Sequence, residues 1–134
     1  MHKINYGHED QIEVTLKNGF IINFDAVGNE LFTFVYNPQT DEKTSVSFGM
    51  DSALALAKRL LSCAMGGALI GGYIHQASGG YSIELRSTDA GVLFSIFDER
   101  KEQAVTIPLD NEAVLIFAEL LVRYVRQSKK VAGE

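Results

Sequence analysis

Cysteine, cationic charge and long apolar runs are all scarce in this chain of 134 residues. The single cysteine, Cys63, excludes an intramolecular disulfide framework and a cysteine-built zinc site. Only 12 Lys and Arg stand against 17 Asp and Glu, a formal net charge of −5. Such a balance favours solubility and gives no broad attraction to nucleic acid or anionic membrane, while leaving room for a local basic patch. The most apolar run, Leu60–Ile74, is shorter than the roughly 20 residues a membrane span requires, and glycines interrupt it. Met1–Asp10 carries neither an apolar core nor a small-residue cleavage site, so no membrane contact and a cytoplasmic location are the expectation.

Motifs of enzyme chemistry are equally scarce. Neither G-x-x-x-x-G-K-[ST] nor G-x-G-x-x-G occurs, and the glycine-rich stretch Gly66–Gly72 lacks the phosphate-binding lysine. It reads as a helix stop followed by a strand that another backbone approaches closely. The histidines are His2, His8 and His75. His8-Glu9-Asp10 with His2 is the one metal-like grouping, and a solvated, frayed terminus explains it more simply. His75 has no evident nucleophile or acid to work with. Cys63 falls on the apolar side of a helical segment, where a thiol is inert. The acidic tips Asp41-Glu42-Lys43 and Asp98-Glu99-Arg100-Lys101 lack a calcium-loop pattern. No catalytic residue, cofactor or metal site is expected, and the chain reads as a binding protein rather than an enzyme.

What is present is an average globular composition, 46% apolar and 22% charged, sufficient for one domain over residues 1–134. The pattern also repeats. Gly19–Phe24 resembles Gly80–Leu85, and Phe32-Thr33-Phe34 resembles Phe94-Ser95-Ile96. Asp41-Glu42-Lys43 then matches Asp98-Glu99-Arg100, and Val46–Asp51 matches Val105–Asp110. The spacing drifts along these matches, as variable hairpins would allow. Each half closes on an apolar stretch, Ser52–Met65 and Asn111–Arg126.

Local signals agree within each half. Strands are predicted at Gln11–Leu16, Phe20–Asp25, Leu31–Tyr36 and Thr44–Phe48, then at Ala68–Ala77, Gly80–Arg86, Val92–Phe97 and Gln103–Ile107. Asn18-Gly19 and Gly79-Gly80 mark hairpin turns. Asp51 and Asp110 stand as helix N-caps, ahead of helices over about 51–65 and 110–127. The expected architecture is α+β: two tandem ββββα repeats, about 11–65 and 68–127, with antiparallel sheets packed against two apolar helices. Leu54, Leu61, Val114, Phe117 and Leu121 are predicted core. Both helices are more apolar than one sheet can cover, and Ala113–Ala118 is apolar in every direction. Helix-on-helix packing buries part of this excess, and the remainder predicts a homodimer.

The only basic concentration is Arg123, Arg126, Lys129 and Lys130. It complements the negative end of the last helix, and it is also where a phosphate or acidic partner would make contact. Four strands followed by one helix, duplicated, resembles the single-stranded nucleic-acid-binding superfamily of the PC4-like transcriptional cofactors, PUR repeats and Whirly proteins. The strand-to-helix joints Thr44–Leu61 and Gln103–Leu121 carry the likeness. The resemblance implies a transcription-associated protein that binds single strands on curved sheet faces through basic and aromatic residues. Lys17, Arg86, Arg123, Arg126, Lys129 and Lys130 are then the cationic candidates. If Phe20, Ile22, Phe24, Tyr81, Ile83 and Leu85 face the helices, the opposite face carries the acids Glu13, Asp25 and Glu84 and the bases Lys17 and Arg86. That is a poor phosphate track. Base stacking then depends on whether Phe32, Phe34 and Tyr36 point outward. The order of Gly79–Arg126 is also similar to the C-terminal part of the small acidic dimeric chaperones of type III secretion, which implies a protein partner instead.

Overall fold

The computed structural model describes residues 2–7, 11–65, 73–77, 80–100 and 102–132, with 73–77 and 128–132 described by their backbone. The elements run β1 (Lys3–Tyr6), β2 (Gln11–Thr15), β3 (Ile21–Val27), β4 (Glu30–Asn37), β5 (Glu42–Phe48), α1 (Met50–Ala64), β6 (Tyr73–Ala77), β7 (Tyr81–Thr88), β8 (Gly91–Asp98), β9 (Gln103–Asp110) and α2 (Asn111–Ala132). The fold is α+β. Its two antiparallel sheets, β1 to β5 and β6 to β9, follow chain order, and each is followed by a helix.

Alternation assigns the two faces of each strand. Val14, Ile22, Phe24, Leu31, Val35, Val46 and Phe48 point into the core from the first sheet. Ile83, Leu85, Val92, Phe94, Ile96, Ile107 and Leu109 do so from the second. The helices lie between, packed mainly on each other, and bury Ala53, Leu56, Ala57 and Leu60 from α1 and Val114, Phe117, Ala118 and Leu121 from α2. Phe117 joins the layers, its ring centre 5.1 Å from Phe24 edge-to-face and 5.1 Å from Phe94. Of the expected core residues, Val114, Phe117 and Leu121 are buried, while Leu54 and Leu61 are half-buried against the core.

The pairing register of β6 to β9 is that of β2 to β5 displaced by 61 positions. Ile12 pairs with Phe24 as Tyr73 pairs with Leu85. Ile22 pairs with Val35 as Ile83 pairs with Ile96, and Leu31 with Phe48 as Val92 with Leu109. The positive-φ turn residues keep the same displacement, Gly19 with Gly80 and Asp41 with Glu102. This constant shift corrects the drifting alignment read from the sequence. Phe32 corresponds to Leu93, not Phe94; Asp41 to Glu102, not Asp98; Val46 to Ile107, not Val105. Matching residue types had slipped the fourth strand by one position, which exchanges its inner and outer faces.

Three further expectations change. Among the described residues the first sheet has five strands, because Lys3–Tyr6 pairs antiparallel with β2 instead of fraying. Gly49, not Asp51, is the N-cap of α1; it caps without a side chain, and Asp51 lies inside the first turn, where its charge suits the helix dipole. The strand expected over Ala68–Ala77 is seen at Tyr73–Ala77, and 66–72 lies outside the described residues, as do His8, Glu9 and Asp10. Asp110 does cap α2, its Oδ1 accepting from the Ala113 amide at 2.8 Å.

Candidate functional site

Strand β4 decides the outer face of the first sheet. Leu31, Thr33 and Val35 point inward, so Phe32 and Phe34 point outward, 44% and 40% exposed, with Tyr36 half-buried beyond them. Successive outward rings along one strand stand about 7 Å apart. Each ring is flanked by one residue on either neighbouring strand: Asp25 and Ser47 beside Phe32, Asn23 and Ser45 beside Phe34, Ile21 and Lys43 beside Tyr36. The Tyr36 hydroxyl donates to Asp41 at 3.2 Å, and this bond, with burial, raises its pKa. Phe32 and Phe34 therefore offer flat apolar rings in a frame of small polar side chains. The same pairing places Lys3 and Lys43 on this face together with Glu13, Asp25 and Glu30, so acids remain in excess.

On the second sheet Phe97 stands where Tyr36 stands on the first, and is partly exposed. Leu93 and Ser95 take the places of Phe32 and Phe34, so the stacking column is not reproduced there. Ser95 is hydrogen-bonded to Thr106 at 2.9 Å, and Arg86 donates to Glu84 at 2.9 Å, which neutralises this face. A cleft of about 180 Å³ opens where the sheets meet, lined on one side by Phe34, Lys43 and Ser45 and on the other by Tyr81, Asp98 and Gln103. The Arg100 guanidinium lies over the Tyr81 ring, 5.7 Å from its centre. By sequence Lys43 and Arg100 belong to solvated hairpin tips. Strand pairing within each sheet sets them beside aromatic rings, Lys43 next to Tyr36 and Arg100 over Tyr81.

The expected cationic residues whose side chains are described, Lys17, Arg86, Arg123 and Arg126, do not converge. Lys17 binds Asp110 at 2.6 Å, and this bond raises the pKa of the ammonium. The His2 ring, 2% exposed, completes the cluster: its Nδ1 accepts from the Lys17 amide at 3.1 Å, so Nε2 carries the proton and donates to Asp110 at 2.9 Å. Burial pushes the Asp110 carboxyl up, but Lys17, the Ala113 amide and His2 together outweigh it and hold the group well below the usual carboxylate range. The cluster is a structural clasp between the N-terminus, the β2–β3 turn and the start of α2. Arg86 is spent on Glu84. Arg123 covers the Tyr6 ring at 5.1 Å and borders a groove between the helices together with Arg126. Lys129 and Lys130 fall within α2, where only the backbone is described.

Among the described residues no group of three His, Cys, Asp or Glu side chains could hold a metal ion. The Cys63 sulfur lies 3.7 Å from the Ser87 hydroxyl at the half-buried edge of α1. Among the described residues no helix is long and apolar enough to cross a membrane. A scan against known protein families finds no match, and a search of curated proteins finds none either.

Proposed function

We propose that the protein is a non-enzymatic binding protein that takes single-stranded nucleic acid on the outer face of its first sheet. We also read the chain as a tandem duplication of a ββββα unit of the PC4, PUR and Whirly type. The shared register at a displacement of 61 positions supports the duplication. The outward Phe32 and Phe34 carry the functional reading. A column of exposed rings on a sheet is how sequence-tolerant stacking of unpaired bases is built. Electrostatics contributes little on this face, so the salt dependence of binding is expected to be shallow. With Lys3 and Lys43 as its cations, the slope of log affinity against log salt stays within about −1.4, at roughly −0.7 per neutralised phosphate.

The test is fluorescence polarisation of labelled single-stranded oligonucleotides at low salt. Phe34→Ala and Phe32→Ala each weaken binding by roughly 5- to 150-fold, the range for loss of one stacked base. Absence of binding at the highest attainable protein concentration refutes the reading. So does binding that responds only to changes at Arg123, Arg126, Lys129 and Lys130. The second reading, a protein-binding module, draws on a different observation. Glu13 and Asp25 line a hollow of about 310 Å³ with Asn5, Gln11 and Asn23, which suits a basic peptide segment better than a phosphate chain.

A further inference from the structure

The sheets cover only the inner sides of the two helices. On α1, Leu54, Lys58 and Leu61 share one face, and Met65 continues it at the helix end. The residues 61 positions later, Leu115, Glu119, Val122 and Arg126, form the matching stripe on α2. Met65 is 83% exposed and Leu115 is 42% exposed; Lys58 and Glu119 are exposed, and Leu54, Leu61 and Val122 are half-buried. Leu61 and Val122 open into one groove of about 560 Å³ between the helices, bordered by Glu119, Arg123 and Arg126. The two stripes therefore belong to one surface, apolar at its centre and charged at its rim, the usual anatomy of an interface.

The charges identify the occupant. The α1 stripe carries Lys58 at the position where the α2 stripe carries Glu119. A two-fold axis that lays α1 of one copy along α2 of another sets Lys58 against Glu119 twice. The surface is thus complementary to itself, which is what an isologous contact requires. A uniformly acidic partner would suit Lys58, Arg123 and Arg126 but be repelled by Glu119, and a uniformly basic one would suit Glu119 alone. We infer that this helical face binds a second copy of the same chain through reciprocal Lys58–Glu119 pairs around a Leu54, Leu61, Leu115 and Val122 centre. The arrangement leaves the outer sheet faces open and does not depend on what they bind.

Analytical ultracentrifugation at low salt tests it. The wild-type chain sediments at twice 14.7 kDa in the micromolar range. Lys58→Glu and Glu119→Lys each place like charges opposite one another twice, and each raises the dissociation constant at least about tenfold. An equimolar mixture of the two variants restores the dimer, because both pairs are then of opposite sign, and the double variant also self-associates. Leu115→Asp gives a monomer with unchanged helicity by circular dichroism. A wild-type mass that stays at 14.7 kDa at every concentration overturns the inference. So do single charge variants that dimerise like the wild type, or a mixture of monomeric variants that stays monomeric. The mixing result is decisive even if Leu115→Asp disturbs folding.

Discussion

Replacing Thr33 by valine should make this protein more stable. Thr33 is fully buried on the inner face of β4, and among the described residues its Oγ1 has no hydrogen-bond partner. Its neighbours across the sheet are Phe24 and Val46, both apolar and buried. The corresponding position in the second sheet, 61 residues later, is Phe94, so the architecture itself has no use for a hydroxyl there. A buried hydroxyl without a partner costs about 1–3 kcal/mol, and a buried methyl in its place contributes about 0.8 kcal/mol. Valine has the same branched shape and is at least as compatible with a strand, so neither a cavity nor a strained rotamer offsets the gain. The expected net change is about 2 kcal/mol. In urea unfolding followed by circular dichroism, with a slope of about 2 kcal/mol per M, the midpoint rises by about 1 M and the slope is unchanged. Thr33→Ser retains the hydroxyl and loses the methyl, so it should lower the midpoint. A Thr33→Val midpoint equal to or below wild type at unchanged slope would show that the hydroxyl is satisfied in solution, and the argument from its isolation would fall.

Phe117→Ala removes the ring that touches both Phe24 and Phe94 and should cost about 3–5 kcal/mol; a loss under about 1 kcal/mol in the same assay contradicts its burial between the sheets. Gly91 has φ +150°, and a Cβ there would meet the Leu109 carbonyl oxygen. Gly91→Ala should therefore cost roughly 2–4 kcal/mol, whereas Glu30→Ala at the equivalent place in the first sheet should be nearly neutral. Asp110 has its pKa lowered in the folded chain, so its stabilisation is fully present above about pH 4, the unfolded carboxylate value, and disappears as pH falls below it. Asp110→Asn should flatten the fall in stability between about pH 5 and pH 2; an acid limb as steep as the wild type's would locate the sensitive carboxylate elsewhere.

Much of this fold was legible in local pattern. The alternation at Ile22 and Phe24, and again at Ile83 and Leu85, fixed which face of each strand is inner, because side chains alternate strictly along a strand. Gly19 marked a turn that needs positive φ, and Asp110 marked a helix start that needs an acceptor; both signals are satisfied within a few residues of chain. The phase of the repeat was not legible. Residue type aligned Phe32 with Phe94, but these side chains face opposite ways, and only the hydrogen-bonded register of β4 against β3 and β5 reveals it. The aromatic column depends on that phase. Tertiary structure also decided the N-terminus and Lys17. Nothing near His2 in sequence announces a buried ring, because its partner Asp110 is 108 positions away. Lys17, an exposed cation by its neighbours, is neutralised by the same distant carboxylate. Local propensity can set an element and its faces, but the partner of a charge is chosen by whichever segment the fold brings beside it.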